Sequence, residues 1–127
     1  MSKKEAIVYW LRVAKRDRQT AQSLFKLGYY HWSLFMWQLV IERLLKGLIT
    51  MRDKEVVPIH NLVRLAKIAG LKPSPQQIDD LTEITTFNLE TRYDDYKEKF
   101  YHKANKNYAI KWSQKAEEIY QWLQKQF

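Results

Sequence analysis

Apolar positions repeat along most of this chain at alternating spacings of three and four, the signature of helices that bury one face. The pattern is densest from Tyr29 to Thr50, where Leu34, Trp37, Ile41, Leu44 and Leu48 form one stripe. This stretch reads as a single helix of about 22 residues, long enough at about 1.5 Å per residue to cross a small domain. Gln38, Glu42 and Lys46 form a second row beside it at i, i+4 and i+8, abutting Phe35, Leu45 and Ile49. So apolar a helix needs at least two others to cover it. Upstream, Ile7, Trp10, Ala14, Ala21 and Leu24 make a stripe from Lys4 to Leu27, closed by Gly28. With the central helix starting at once after Gly28, the two form an antiparallel hairpin.

After the charged segment ending at Pro58, a short helix (Leu62, Leu65, Ala66, Ala69) stops at Gly70. Ser74, Pro75 and Gln77 then carry a capping-box pattern. They open a fourth helix, expected to reach about Leu89 with Ile78, Leu81, Ile84 and Thr85 inward. The segment from Glu90 to Lys106, crowded with charge and aromatics, shows no clean period and reads as a long loop. A last helix, about Asn107 to Gln126, buries Ala109, Trp112, Ala116, Ile119 and Leu123. The expected fold is all-α: an up-and-down four-helix bundle with an additional short helix, in one domain over residues 1–127.

Composition narrows the chemistry. With no cysteine, disulfides, thiolate-bound zinc and a Cys nucleophile are excluded. The apolar run near the N-terminus is too short for a signal peptide, and no uncharged apolar stretch of about 18 residues exists. These features suit a soluble cytoplasmic protein without a membrane partner. The net charge of +8 is uneven: residues 1–26 hold seven Lys/Arg against two acids, and residues 97–115 hold six against one. Two basic ends around a near-neutral middle suit an anionic partner such as RNA, a nucleotide or an acidic protein; solvated helix faces are the plainer reading.

Several residues stand out against the pattern. Asp17 occupies a stripe position, so it is either buried against Arg92, Arg43 or Lys46, or rotated to solvent beside Arg16 or Arg18. Burying it alone would cost several kcal/mol. The Gln38, Glu42 and Lys46 row is either a half-buried polar network or a surface Glu–Lys pair worth a few tenths of a kcal/mol. His60, after Pro58 and before a helix, either bonds backbone or serves a ligand. Arg92 and Tyr93 can project a guanidinium and a phenol into a cleft. Tyr93, Tyr96, Phe100, Tyr101 and Tyr108, interleaved with Lys97, Lys99, Lys103 and Lys106, could stack bases and hold phosphates, or form a dimer contact. No metal-ligand set, cofactor motif or Gly-rich phosphate loop is visible, so neither metal nor cofactor is expected.

In this order and spacing, the features resemble the HEPN domain, the higher-eukaryote-and-prokaryote nucleotide-binding family. They are the Trp10–Ala14–Asp17–Ala21–Leu24 helix, the Gly28–Tyr29 turn, the Gln38–Glu42–Lys46 row, Pro58 with His60–Asn61–Leu62, Arg92–Tyr93, and the Trp112-to-Trp122 helix. The resemblance implies a helical bundle that dimerises, with a minimal nucleotidyltransferase as partner. Within such pairs it implies an RNA-cutting toxin of a toxin–antitoxin type, or a nucleotide- or substrate-binding subunit. The toxin branch carries an Arg, then four to six residues, then a His. Here nine residues separate Arg92 from His102, and seven separate Arg52 from His60. The favoured expectation is a non-catalytic nucleotide- or RNA-binding module, a homodimer, with Arg92, Tyr93, Lys97, Lys99, Lys103, Lys106 and His60 as binding candidates. Asp17, Gln38, Glu42 and Lys46 would brace the cleft. The alternatives are a ribonuclease using Arg92 and His102, and a pure protein-interaction subunit.

Overall fold

The computed structural model describes all residues from Met1 to Phe127 and contains six helices: α1 (Lys3–Lys26), α2 (Tyr30–Met51), α3 (Leu62–Ile68), α4 (Pro75–Thr85), α5 (Asp94–Lys103) and α6 (Lys106–Gln124). No helix is long and apolar enough to cross a membrane. The axis of the molecule is α2. Its Leu34, Val40, Ile41, Leu44, Leu45, Leu48 and Ile49 are fully buried because α1 covers one side while α6, α3, α4 and α5 cover the rest. Gly28 makes the α1–α2 turn in the left-handed region (φ +83°), where a β-carbon would strain the backbone. Along the hairpin, Gly47 lets α2 approach the Trp10 side chain of α1 closely.

The expected capping box is present. Ser74 accepts from the Gln77 N–H while the Gln77 side chain accepts from the Ser74 N–H, with Pro75 at the first helical position. An equivalent box joins Ser2 and Glu5 at the start of α1. The last-helix stripe is buried as expected, from Ala109 through Leu123.

Three expectations need correction. First, α4 ends at Thr85, with Thr86 as its C-cap, and Phe87, Asn88 and Leu89 are buried in irregular backbone. The Thr85 and Thr86 hydroxyls donate to the Leu81 and Glu83 carbonyls, and Phe87 inserts among Phe100, Tyr108 and Trp112. Tertiary packing thus overrides a pattern that could have continued helically. Second, Ile78 lies at the exposed edge of α4, and the buried residue beside Leu81 and Ile84 is Asp80. Gln76 Nε2 donates to its Oδ1 at 2.9 Å, and Lys115 Nζ stands 3.6 Å from the same oxygen. Third, the segment expected to be loop contains α5. Tyr96 and Phe100 form an i,i+4 stacked pair facing the core, the Tyr96 hydroxyl donates to the Thr86 carbonyl, and Ala104 is buried one turn on. Asp94 and Asp95 in the first turn, with His102 and Lys103 in the last, complement the helix dipole. The exposed Tyr93 and Tyr101 hid this period in the sequence.

Candidate nucleotide-binding site

Glu42 is the centre of a buried polar network. Its Oε2 accepts from Lys46 Nζ at 2.8 Å, and its Oε1 accepts from Gln38 Nε2 at 3.0 Å and faces His60 Nδ1 at 2.8 Å. Burial alone pushes the Glu42 carboxyl up, but the bonds from Lys46, Gln38 and His60 outweigh it and hold the group below the usual carboxylate range. The row expected from the sequence therefore lies inside the fold. The Lys46 side chain is only 12% exposed, far from a surface i,i+4 pair.

Gln38 ties three segments together. Its Nε2 also lies 3.4 Å from the His60 carbonyl, and its Oε1 accepts from Asn88 Nδ2 at 3.1 Å. Asn88 Oδ1 in turn accepts from the Glu90 N–H at 3.0 Å. The α2 row, the loop before α3 and the turn after α4 are thus locked into one arrangement, and that turn carries Arg92 and Tyr93. Asn88 was not foreseen; an Asn just past a helix reads in sequence as an ordinary turn former.

Asp17 is buried on α1 and meets Arg43 of α2, one of the three partners expected for it, with Arg16 Nε farther off at 3.8 Å. Arg92 and Lys46 make no contact of this kind with it. The pair joins α1 to α2 one residue along from Glu42.

Arg92 forms no ion pair. Its guanidinium lies over the Tyr96 ring, 4.8 Å from the centroid, with a buried Nε that has no hydrogen-bond partner. Beside it, Tyr93 is 86% exposed. Lys97 is half-buried and Lys99 exposed on α5, and Lys106 is exposed at the start of α6; none of the three has a carboxylate partner. Lys103 differs, because its Nζ pairs with Glu83 Oε2 at 3.0 Å. Glu83 also accepts from the Tyr108 hydroxyl. Burial pushes the Glu83 carboxyl up, and the bonds from Tyr108 and Lys103 draw it below its ordinary range; burial and Glu83 together push the Tyr108 phenol far up. Tyr96, Phe100 and Tyr108 are engaged in packing, so Tyr93 and Tyr101 are the aromatics of this segment that remain open.

His102 stands at the far end of α5 from Arg92, exposed, with Nε2 3.2 Å from Glu98 Oε1. One continuous helix separates the two residues within a subunit. His60, unlike His102, is held by the fold: a buried carboxylate meets its Nδ1 while its side chain stays 37% exposed.

The family model described as "HEPN domain" matches residues 7–126, and the chain belongs to that family. The fold is similar to the crystal structure of TT1696 from Thermus thermophilus, with a TM-score of 0.79 at 22% identity over 95% of this chain and 98% of the other. It is also similar to ST0689, described as an archaeal HEPN homologue, with a TM-score of 0.74 at 21% identity over 94% and 96% of the two chains. A search of curated proteins finds no match.

Proposed function

We propose that this HEPN domain is a non-catalytic module that binds a nucleotide or RNA, with Arg92 as the phosphate-holding cation and Tyr93 as the exposed group beside it. The observation that carries the reading is the state of Arg92. Its guanidinium meets no carboxylate and lies over the Tyr96 ring, so the fold orients its charge without neutralising it. Its turn is fixed through Asn88 and Gln38, which lowers the entropic cost of presenting the cation to a ligand. Lys97, Lys99 and Lys106 add unneutralised charge, and Lys103 adds less because Glu83 already holds it. Asp17, Gln38, Glu42 and Lys46 brace the wall, and His60 is an ancillary ligand contact.

The module acts as a homodimer and works with a minimal nucleotidyltransferase, as a toxin–antitoxin-like or substrate-binding subunit. Exposed Val8 and Tyr9 on the outer side of α1 supply an apolar surface that a second copy can cover. The ribonuclease alternative draws less support, because α5 keeps Arg92 and His102 apart within one subunit. Titrating labelled single-stranded RNA and mononucleotides by fluorescence anisotropy tests the reading. Arg92→Ala should weaken binding about tenfold or more, in line with about 1.5–3 kcal/mol for a bond to a charged group. Unchanged affinity in Arg92→Ala and Tyr93→Ala would remove this site.

A further inference from the structure

A cleft lies between the α1–α2 turn and the α5–α6 junction, with a volume of about 490 Å³. Tyr29, Tyr30, His31, Tyr101, Asn105 and Lys106 are among the residues that line it. That volume is in the range of sites that take small organic ligands. Tyr101 is about half exposed, and two rings meet it edge-to-face, His31 at 4.9 Å and its exposed neighbour His102 at 5.3 Å. An open ring beside a second aromatic wall is a surface on which a base can stack.

We infer that this cleft is a base-stacking subsite, taking one nucleobase against Tyr101 and the attached phosphate at Lys106. The inference rests on the nucleotide- or RNA-binding reading above and adds a stacking surface at the far end of α5 from Arg92, with Lys106 as its cation. Three features give the cleft this chemistry. Burial pushes the His31 imidazole below its ordinary range, against a partial pull from Glu98, so its ring is a neutral aromatic wall at neutral pH. Lys106 has no carboxylate partner, and Glu98, the acid that acts on His31, lies 3.2 Å from His102. Asn105 spends its side-chain oxygen on the Tyr108 N–H at 2.9 Å, which leaves its amide N–H groups to donate to a base edge or a phosphate. Stacking tolerates any base, so the subsite selects for an unpaired nucleotide, free or within a single strand.

The test uses the full chain with 2-aminopurine, whose fluorescence falls on stacking, offered both as the free ribonucleoside monophosphate and at single positions in a single-stranded RNA. Quenching is expected on binding, in both arms if a free nucleotide suffices and only in the RNA arm if the strand is required. Tyr101→Ala should abolish the quench and weaken binding about ten- to a hundredfold, as expected for loss of one base–aromatic stack. Tyr101→Phe should retain both. Lys106→Gln should reduce the salt slope of RNA binding by about 0.7. If RNA binds but Tyr101→Ala leaves affinity and quench unchanged, the subsite is wrong while the Arg92 reading stands. If neither ligand binds at all, both fall. If Tyr101→Ala instead changes the mass in solution with binding unaltered, the surface is a subunit contact and the inference is overturned.

Discussion

Removing the Glu42 carboxylate probes the network that holds the candidate site together. In Glu42→Ala the Lys46 ammonium loses its partner while its side chain is only 12% exposed, and the His60 Nδ1 and a Gln38 N–H lose theirs. Breaking a buried ion pair from one side costs about 3–5 kcal/mol, a large share of the roughly 5–15 kcal/mol that holds a domain folded. Glu42→Gln keeps the shape but removes the charge and turns an amide N–H₂ toward donors, for a loss of about 1.5–3 kcal/mol. Removing both charges in Glu42→Ala with Lys46→Met should recover much of the single-mutant loss, since no unpaired ammonium remains. Urea melts read these values through the midpoint, with the slope unchanged. A Glu42→Ala protein within about 0.5 kcal/mol of wild type, or a double mutant no better than the single, would refute the buried network.

Asp17→Ala should cost about 2–4 kcal/mol, toward the lower end for a buried pair because Arg43 is 29% exposed and regains some water; a denaturant melt within about 0.5 kcal/mol of wild type would contradict that pairing. Acid should act through Glu42 and Glu83, both held below their ordinary value of 4.5 in the folded chain. The unfolded chain then binds more protons as pH drops past that value, so their contribution is full above about 4.5 and lost as pH falls toward the folded values. Melts at stepped pH should show the decline, and Glu42→Gln should flatten it; a parallel decline in the mutant would assign the effect elsewhere. Light scattering at tens of micromolar should give twice the chain mass, and a strict monomer would remove the dimer. A mixed RNA pool should stay intact on incubation; robust cleavage lost in both Arg92→Ala and His102→Ala would promote the ribonuclease alternative.

The long helices were legible because their apolar rows are clean. Leu34 through Leu48 and Ala109 through Leu123 needed only the three-four spacing, and Gly28 and the Ser74 box marked ends that the structure keeps. The weak points are those where neighbours decide. α5 carries just Tyr96 and Phe100 toward the core, with its C-cap Ala104 buried behind them, too short a row to emerge among exposed tyrosines and lysines. Phe87 to Leu89 leave the helix because Asn88 is drawn to Gln38, a contact across 50 positions that no local pattern encodes. Asp17, Glu42 and Lys46 announced themselves by standing in or beside apolar stripes. Which cation meets Asp17, and that His60 joins Glu42, depended on helix rotation and loop path. The Tyr101 cleft was invisible for the same reason, since it joins two aromatic segments far apart in the sequence only after α5 and α6 pack.

The salt dependence of RNA affinity tests the binding claim most directly, because it counts phosphates neutralised by named cations. Each phosphate contact on a single strand contributes about −0.7 to the slope of log affinity against log salt. Arg92 with two or three of Lys97, Lys99, Lys103 and Lys106 predicts a slope near −2 to −3, reduced toward zero when all five are replaced. No binding at low salt, or a slope unchanged by the fivefold replacement, would contradict the account and leave the +8 charge to solubility.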